Sequence, residues 1–129
     1  MPATGLNHYN LRAPRELMEQ LKDFYCDVVG LEVGERPPFN SYGFWLYAGG
    51  HPVLHLSVAK PDDVRHTDVA TTFDHIAFSC INQADMEARL SKRQVKYKVA
   101  VHTPVEPVQI FFKDPAGNGV ELNFAPEAI

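Results

Sequence analysis

The sequence is poor in cysteine, in basic charge and in long apolar runs, and each shortage excludes a class of protein. Cys26 and Cys80 form neither a disulfide framework nor a CxxC motif, so we expect reduced thiols in a cytoplasmic protein. The net charge of -4 gives no electrostatic argument for binding nucleic acid or an anionic membrane. No apolar run approaches the roughly 20 residues of a membrane span, and the N-terminus lacks a signal-peptide pattern.

The composition that remains is that of an ordinary globular protein. The chain has 129 residues, of which 45% are hydrophobic and 22% charged. That length corresponds to one typical domain and suffices to bury a core without disulfides or structural metals. The charged residues are scattered along the sequence, and no basic cluster is visible.

Residue spacing predicts two helices and eight strands. An apolar stripe at helical spacing between Pro14 and Gly30 predicts the first helix, and Asn82 is expected to cap a second helix that ends near Arg93. A polar segment, 59–72, is predicted to be a linker. Alternating or aromatic-rich segments predict strands at 6–12, 31–36, 43–47, 53–58, 73–80, 95–101, 108–113 and 119–124.

The order of these elements is strand, helix and three strands, and it occurs twice. The sequence therefore predicts an α+β fold made of two βαβββ modules, at about 6–58 and 73–124, within one domain. The two halves align in turn, apolar face and polar position when 44–47 is placed on 110–113, 53–56 on 119–122, and 6–8 on 73–75.

Three histidines and one glutamate occupy matching positions in the two modules. His8 and His75 lie in the first strand of each module, while His55 and Glu121 lie in the last. All four are on the face opposite the apolar stripe, because successive side chains of a strand alternate. If the modules pair about a pseudo-twofold axis, these side chains converge. Imidazole and carboxylate are the ligands that Fe(II), Mn, Ni or Zn prefer, so the pattern predicts a divalent-metal site.

The chain resembles the vicinal oxygen chelate superfamily, which includes glyoxalase I, extradiol dioxygenases, fosfomycin-resistance transferases, methylmalonyl-CoA epimerase and bleomycin-binding proteins. The resemblance covers about residues 6–124. The motifs that carry it are Leu6-Asn7-His8, Phe24-Tyr25 followed by Gly30-Leu31, Asp74-His75-Ile76-Ala77-Phe78, and Asp114-Pro115-Ala116-Gly117-Asn118-Gly119-Val120-Glu121-Leu122.

This resemblance implies a fold and a chemistry. The fold is the glyoxalase/dioxygenase-like one, in which two βαβββ modules form a curled, eight-stranded mixed sheet around a divalent metal. The implied protein is a homodimeric enzyme whose small-molecule substrate chelates the metal through adjacent oxygens, so that the metal acts as a Lewis acid. The site could be completed within one chain or across the dimer.

Among the activities of the family, the residues favour an Fe(II) extradiol-type dioxygenase. The resemblance implies a triad of His8, His75 and Glu121, with His102 as the acid–base residue upstream of the Asp-Pro-Ala-Gly motif. Two positions depart from the pattern of that family. Phe111 replaces the usual tyrosine, and Ala100 is not among the residues that normally precede the histidine.

Three alternatives remain open. The residue spacing of glyoxalase I is similar, but glyoxalase I carries a glutamate where this chain has His55. In a glyoxalase-type mechanism, Glu121 would therefore be the only carboxylate base of this chain. His55 could be a fourth metal ligand or a residue of the pocket. Fosfomycin transferases share the triad but use basic residues beyond the glutamate, and none occurs in 123–129. A bleomycin-resistance-type binding protein would sequester its ligand without catalysis.

His51 and His66 are expected to be solvent-exposed.

Overall fold

The computed structural model describes residues 2–104 and 107–125, and it divides the chain into two compact units, Met1–Arg65 and His66–Ile129. The boundary between the units falls inside the segment 59–72 that was predicted as a linker. Unit 1 contains β1 (Tyr9–Ala13), α1 (Arg15–Phe24), a π-helical segment (Tyr25–Val29), β2 (Glu32–Gly34), β3 (Gly43–Ala48) and β4 (His51–Val58). Unit 2 contains β5 (His75–Cys80), α2 (Gln83–Lys92), β6 (Lys98–Ala100), β7 (Val108–Lys113) and β8 (Gly119–Phe124).

Each unit builds one four-stranded mixed sheet with the same topology. The strand orders are β1-β4-β3-β2 and β5-β8-β7-β6. The pairs β1–β4 and β5–β8 are parallel, and the other pairs are antiparallel. The α+β fold of two βαβββ modules is thereby confirmed. The eight strands that were expected in one curled sheet are hydrogen-bonded as two separate sheets of four.

The internal repeat extends to individual residue pairs. Trp45 faces His55 across β3 and β4, and Phe111 faces Glu121 across β7 and β8, at an offset of 66 residues in both strands. A β-bulge between Leu46 and Tyr47 shifts the register at the far end of β3. The alignment of the two halves therefore identified residues that occupy equivalent places in the two sheets.

The first helical segment ends at Gly30 as predicted, but its last turn is π-helical and not α-helical. The α-helix stops at Phe24, and a π-helical segment continues to Val29, where the N–H groups of Gly30 and Leu31 both donate to Tyr25 O. Gly30 adopts a left-handed conformation with φ of 88°, which glycine tolerates and most residues do not. Tyr25, Val28 and Val29 are all buried.

The apolar faces of the strands are buried as the alternation predicts. The core residues of β4 and β8 include Leu54, Leu56, Val120 and Leu122, each at most 1% exposed. In unit 1, α1 packs against β1, β3 and β4 through one side of the helix. The buried residues on that side are Met18, Leu21 and Phe24.

Several element boundaries differ from the predictions. β1 starts at Tyr9, so His8 lies just before the strand instead of within it. β2 and β6 are three residues each and therefore shorter than expected. Asn82 stands at the N-cap of α2, but its backbone is left-handed, with φ of 62°, and its side chain makes no capping hydrogen bond. No helix in the described part of the chain is long and apolar enough to cross a membrane.

Candidate metal centre

In unit 2, His75 and Glu121 face one another across two neighbouring parallel strands. Their atoms Nε2 and Oε1 are 3.1 Å apart. In the register of β5 and β8, His75 pairs with Gly119 and Ala77 pairs with Glu121. Glu121 therefore lies two residues further along the same face of the sheet, and the absent side chain of Gly119 leaves room for this approach.

Asp74 fixes the orientation of the His75 ring. His75 Nδ1–H donates to Asp74 Oδ2 at 2.7 Å. Because that nitrogen carries the proton, Nε2 is left to face the carboxylate of Glu121. Asp74, followed by Glu121, raises the pKa of His75 above its ordinary value. The site therefore favours a positive charge between Nε2 and Oε1.

Glu121 is buried, although it lies on the face of its strand opposite the apolar stripe. It is 5% exposed. Its Oε2 accepts hydrogen bonds from Gln109 Nε2 at 3.3 Å and from Asn123 Nδ2 at 3.1 Å. These amides satisfy one carboxylate oxygen, which a buried carboxylate requires, and the other oxygen remains directed at His75.

The predicted acid–base residue His102 is connected to Glu121 through Gln109. The ring nitrogen Nε2 of His102 lies 3.0 Å from Gln109 Oε1, while the amide nitrogen of Gln109 donates to Glu121. Since the amide oxygen can only accept, His102 Nε2 is the donor in this bond. A hydrogen-bonded chain thus runs from His102 through Gln109 to Glu121, whose other oxygen lies 3.1 Å from His75 Nε2.

In unit 1, His8 is anchored as His75 is in unit 2. His8 Nδ1–H donates to the side-chain oxygen of the preceding residue, Asn7, at 2.7 Å. Asn7 and Asp74 are equivalent in the internal repeat, so the same contact occurs twice. A hydrogen bond that fixes one ring nitrogen while leaving Nε2 available is the usual arrangement for a metal-ligating histidine.

His55 lies between two parallel rings. Its imidazole stacks on His8 with ring centroids 3.8 Å apart, and on Trp45 with centroids 4.0 Å apart. Burial, followed by the charge of His8, lowers the pKa of His55, so the ring is neutral near pH 7. Its Nε2 is buried and has no hydrogen-bond partner among the described residues. A neutral imidazole with an unused nitrogen is able to accept a metal or a ligand proton.

The stacking bears on whether His8 and His55 bind one ion together. The planes of the two rings differ by 12°. The lone pair of an imidazole nitrogen lies in the plane of its ring, so two parallel rings direct their lone pairs side by side and do not converge. Taken by itself, neither unit groups three or more His, Cys, Asp or Glu side chains among its described residues in a way that could hold a metal ion.

A tight turn between β7 and β8 fixes the position of Glu121. Asp114 is 5% exposed, and its Oδ1 accepts the backbone N–H groups of Ala116 and Asn118 at 2.9 Å each. Gly117 has φ of 88°, and a Cβ at this position would lie 2.5 Å from Asp68 Oδ1. The turn sets the register in which Phe111 faces Glu121.

The His75–Glu121 pair fits a divalent metal. Two ligand atoms that bind one metal at about 2.1 Å and at a right angle are about 3 Å apart, which matches the distance between Nε2 and Oε1. A metal ion bound between Nε2 and Oε1 would then supply the positive charge that the site favours, in place of a proton on His75. Within unit 2, His75 and Glu121 are the residues that would hold it.

One comparison with known proteins places the chain in a family. The family model described as Glyoxalase/Bleomycin resistance protein/Dioxygenase superfamily matches residues 5–122. The chain belongs to this superfamily. No curated protein sequence matches it.

Solved structures with different activities share the fold of this superfamily member. FosX, a fosfomycin resistance protein from Listeria monocytogenes, is 19% identical with a TM-score of 0.68, over 95% of this chain and 94% of FosX. TnmS3, an antibiotic binding protein from a Streptomyces species, is 21% identical with a TM-score of 0.66, over 97% and 98%. Lactoylglutathione lyase from Agrobacterium tumefaciens is 21% identical with a TM-score of 0.62, over 96% of each chain.

Several residues around the candidate ligands were not identified from the sequence as site residues. Asp74, Gln109 and Asn123 hydrogen-bond the candidate ligands or their neighbours, and Trp45 covers His55. The signal that could have found Gln109 and Trp45 is strand register, because Gln109 pairs with Asn123 and Trp45 with His55. His51 and His66 are exposed as expected, and His51 Nε2 bonds to Asn7 O.

Proposed function

We propose that this protein is a divalent-metal-dependent enzyme that acts on a small, oxygen-rich metabolite, with His8, His75 and Glu121 as its metal ligands. The observation that carries the proposal is the separation of 3.1 Å between His75 Nε2 and Glu121 Oε1. The identical anchoring of His8 and His75 through Nδ1 supports it, since both rings keep Nε2 available for coordination.

Among metal-dependent reactions, we favour an Fe(II) extradiol-type dioxygenase. Two histidines and one carboxylate form the facial triad of non-haem iron oxygenases. In such a centre, the bound iron would supply Lewis-acid and redox chemistry toward a substrate that chelates it through adjacent oxygens. The link from His102 through Gln109 to Glu121 supports an acid–base role for His102.

The chain's own side chains have distinct roles in this proposal. Asp74 and Asn7 hold the two ligating rings, and Gln109 and Asn123 hold Glu121. The homodimer stays a prediction, as does a cytoplasmic location.

The lyase or isomerase alternative, which resembles glyoxalase I, has less support. It needs a fourth ligand at the position of His55, and the ring of His55 is stacked against both His8 and Trp45. Oxygen consumption would separate the dioxygenase from a thiol-dependent lyase that is indifferent to oxygen.

A non-catalytic small-molecule binding protein is the second candidate, and one observation favours it. The stacked rings of Trp45, His55 and His8 form an aromatic column, and planar drug-like ligands bind against such surfaces. This candidate does not need the His75–Glu121 pair, so metal content distinguishes it from the enzyme.

The test is elemental analysis of protein purified without chelator, beside Glu121→Gln and His55→Ala. Glu121→Gln keeps the size of the side chain and removes its charge. We expect about one metal per chain in the wild type, loss of the metal in Glu121→Gln, and retention in His55→Ala. Loss in His55→Ala would favour a centre with four ligands and a lyase mechanism. Absence of metal from wild-type protein after loading with Fe(II), Mn, Ni and Zn would overturn the enzyme proposal.

A further inference from the structure

Beside His75, unit 2 contains a cavity of about 370 Å³ whose lining is unusually rich in lysine. Its volume is that of a site for a small metabolite. Three of the lining residues are lysines: Lys96, Lys98 and Lys113. The apolar and aromatic residues of the lining are Tyr97, Phe111, Phe112 and Val120, and the remaining ones are Asp74, His75 and Gly119.

Strand register aligns one of these lysines with His75. Lys113 pairs with Gly119, and Gly119 pairs with His75, so the three residues form a row across β7, β8 and β5. The glycine at the centre of the row has no side chain. A Cβ at this position would lie 2.2 Å from Asp74 O and 3.0 Å from His75 Cβ. Gly119 therefore lets Asp74 and His75 approach its strand closely, and Lys113 lines the cavity on the other side of this glycine.

Lys98 extends the same surface on the neighbouring strand. It pairs with Phe111, which in turn pairs with Glu121, so Lys98 and Glu121 share the face that carries the candidate ligands. The ring of Phe111 meets the ring of His75 edge to face, with centroids 5.7 Å apart. A ligand in the cavity would contact the apolar ring of Phe111 on one side and the ammonium groups on the other.

The lysines of this cavity carry positive charge that no acid among the described residues neutralises. Within residues 2–104 and 107–125, none of the three lysines takes part in an ion pair. Asp74, the only acid among the described residues of the lining, is already bonded to His75. Like charges on neighbouring strands repel, so the unpaired cluster opposes folding and favours an anion.

We propose that the lysine-lined cavity binds an anionic group of the substrate, a phosphate, phosphonate or carboxylate, and holds the rest of that substrate against Phe111 and next to His75. This assignment rests on the proposed function in one respect only, because it makes the ligand a substrate of the neighbouring metal centre. The binding of the anion itself needs neither the metal nor Glu121.

The test is a titration of the full-length, chelator-stripped protein with inorganic phosphate, followed through the backbone amide resonances. We expect saturable shifts at Lys98, Lys113 and Gly119, with weaker binding as salt is raised from 50 to 200 mM. The double variant Lys98→Gln/Lys113→Gln should bind phosphate about tenfold more weakly, and Lys98→Arg/Lys113→Arg should retain binding. Lys92→Gln, an exposed lysine of α2 outside the cavity, is the matched control and should bind as the wild type does.

Shifts of equal size in the wild type and the double glutamine variant would overturn the proposal, as would shifts scattered over the surface without saturation. Metal content separates this result from the proposed function. If the double variant keeps its metal but loses phosphate, the cavity is an anion site beside an intact centre. If the wild type binds phosphate but never binds metal, the anion site stands and the enzyme proposal falls.

Discussion

The side-chain oxygen of Gln109 lies 3.0 Å from His102 Nε2, while its amide nitrogen donates to Glu121. Gln109 thus joins the candidate acid–base residue to the candidate metal ligand. Replacing Gln109 with Leu should weaken metal binding about tenfold, which is the usual effect of losing a hydrogen bond to a ligand. The effect should be smaller than that of Glu121→Gln, because Asn123 still donates to the carboxylate.

Metal dissociation constants of the purified variants would check this expectation about Gln109. Gln20→Leu is the matched control, because Gln20 is exposed on α1 and should leave the constant unchanged. Equal metal affinity in Gln109→Leu and wild type would contradict a positioning role for Gln109.

The stability of the metal-free protein should depend on pH through His75. Asp74 raises the pKa of His75 above its ordinary value of 6.5. The pKa of His75 is thus higher in the folded state than in the unfolded state. Its interaction with Asp74 stabilises the folded state fully at pH values below the unfolded pKa, and this contribution is lost as the pH rises through the folded pKa. Asp74→Asn removes the largest cause of the shift, so it should lower the free energy of unfolding more at about pH 5 than at about pH 9.

Urea unfolding at both pH values would measure that difference for Asp74. Asp62→Asn, at an exposed position without an ion pair among the described residues, is the matched control. If Asp74→Asn lowered the free energy of unfolding more at about pH 9 than at about pH 5, Asp74 would not stabilise the protonated form of His75.

Trp45 should report the protonation of His55. It is the only tryptophan of the chain, and its ring is stacked within 10° of parallel on the imidazole. Because burial lowers the pKa of His55, the emission of Trp45 should change in a transition below pH 6.5. The transition should disappear in His55→Gln and persist in His66→Gln, whose histidine is exposed. Persistence in His55→Gln would mean that another group causes it.

Asp114 should be among the costliest positions to replace in unit 2. Its carboxylate accepts two backbone N–H groups and Asn118 Nδ2, at 2.9 to 3.0 Å. Asp114→Ala leaves these donors without an acceptor, and we expect the free energy of unfolding to fall by about 2–4 kcal/mol. Chemical denaturation would measure the change, with Asp62→Ala as the exposed control. A loss below about 1 kcal/mol would contradict the role given to the turn.

Alternation within strands and the spacing of the two modules can be read along the chain, and they predicted the repeat and the strand faces, which are confirmed, and the candidate ligands, which stay predictions. His8, His55, His75 and Glu121 were identified in this way, as was the burial of Leu54 and Leu122 on the opposite face. The π-helical segment at Tyr25–Val29 was not, because its apolar spacing is also compatible with an α-helix.

The tertiary structure decided which side chains meet. His102, Gln109 and Glu121 are separated in the sequence and joined by strand pairing, and the stack of His8 on His55 depends on the pairing of β1 with β4. Lys96 and Lys98 are close in the sequence, whereas Lys113 is brought near them by the pairing of β6 with β7, and all three line the cavity beside His75. Local patterns fix which face of a strand a residue takes, whereas its neighbours on that face are set by pairings between distant segments.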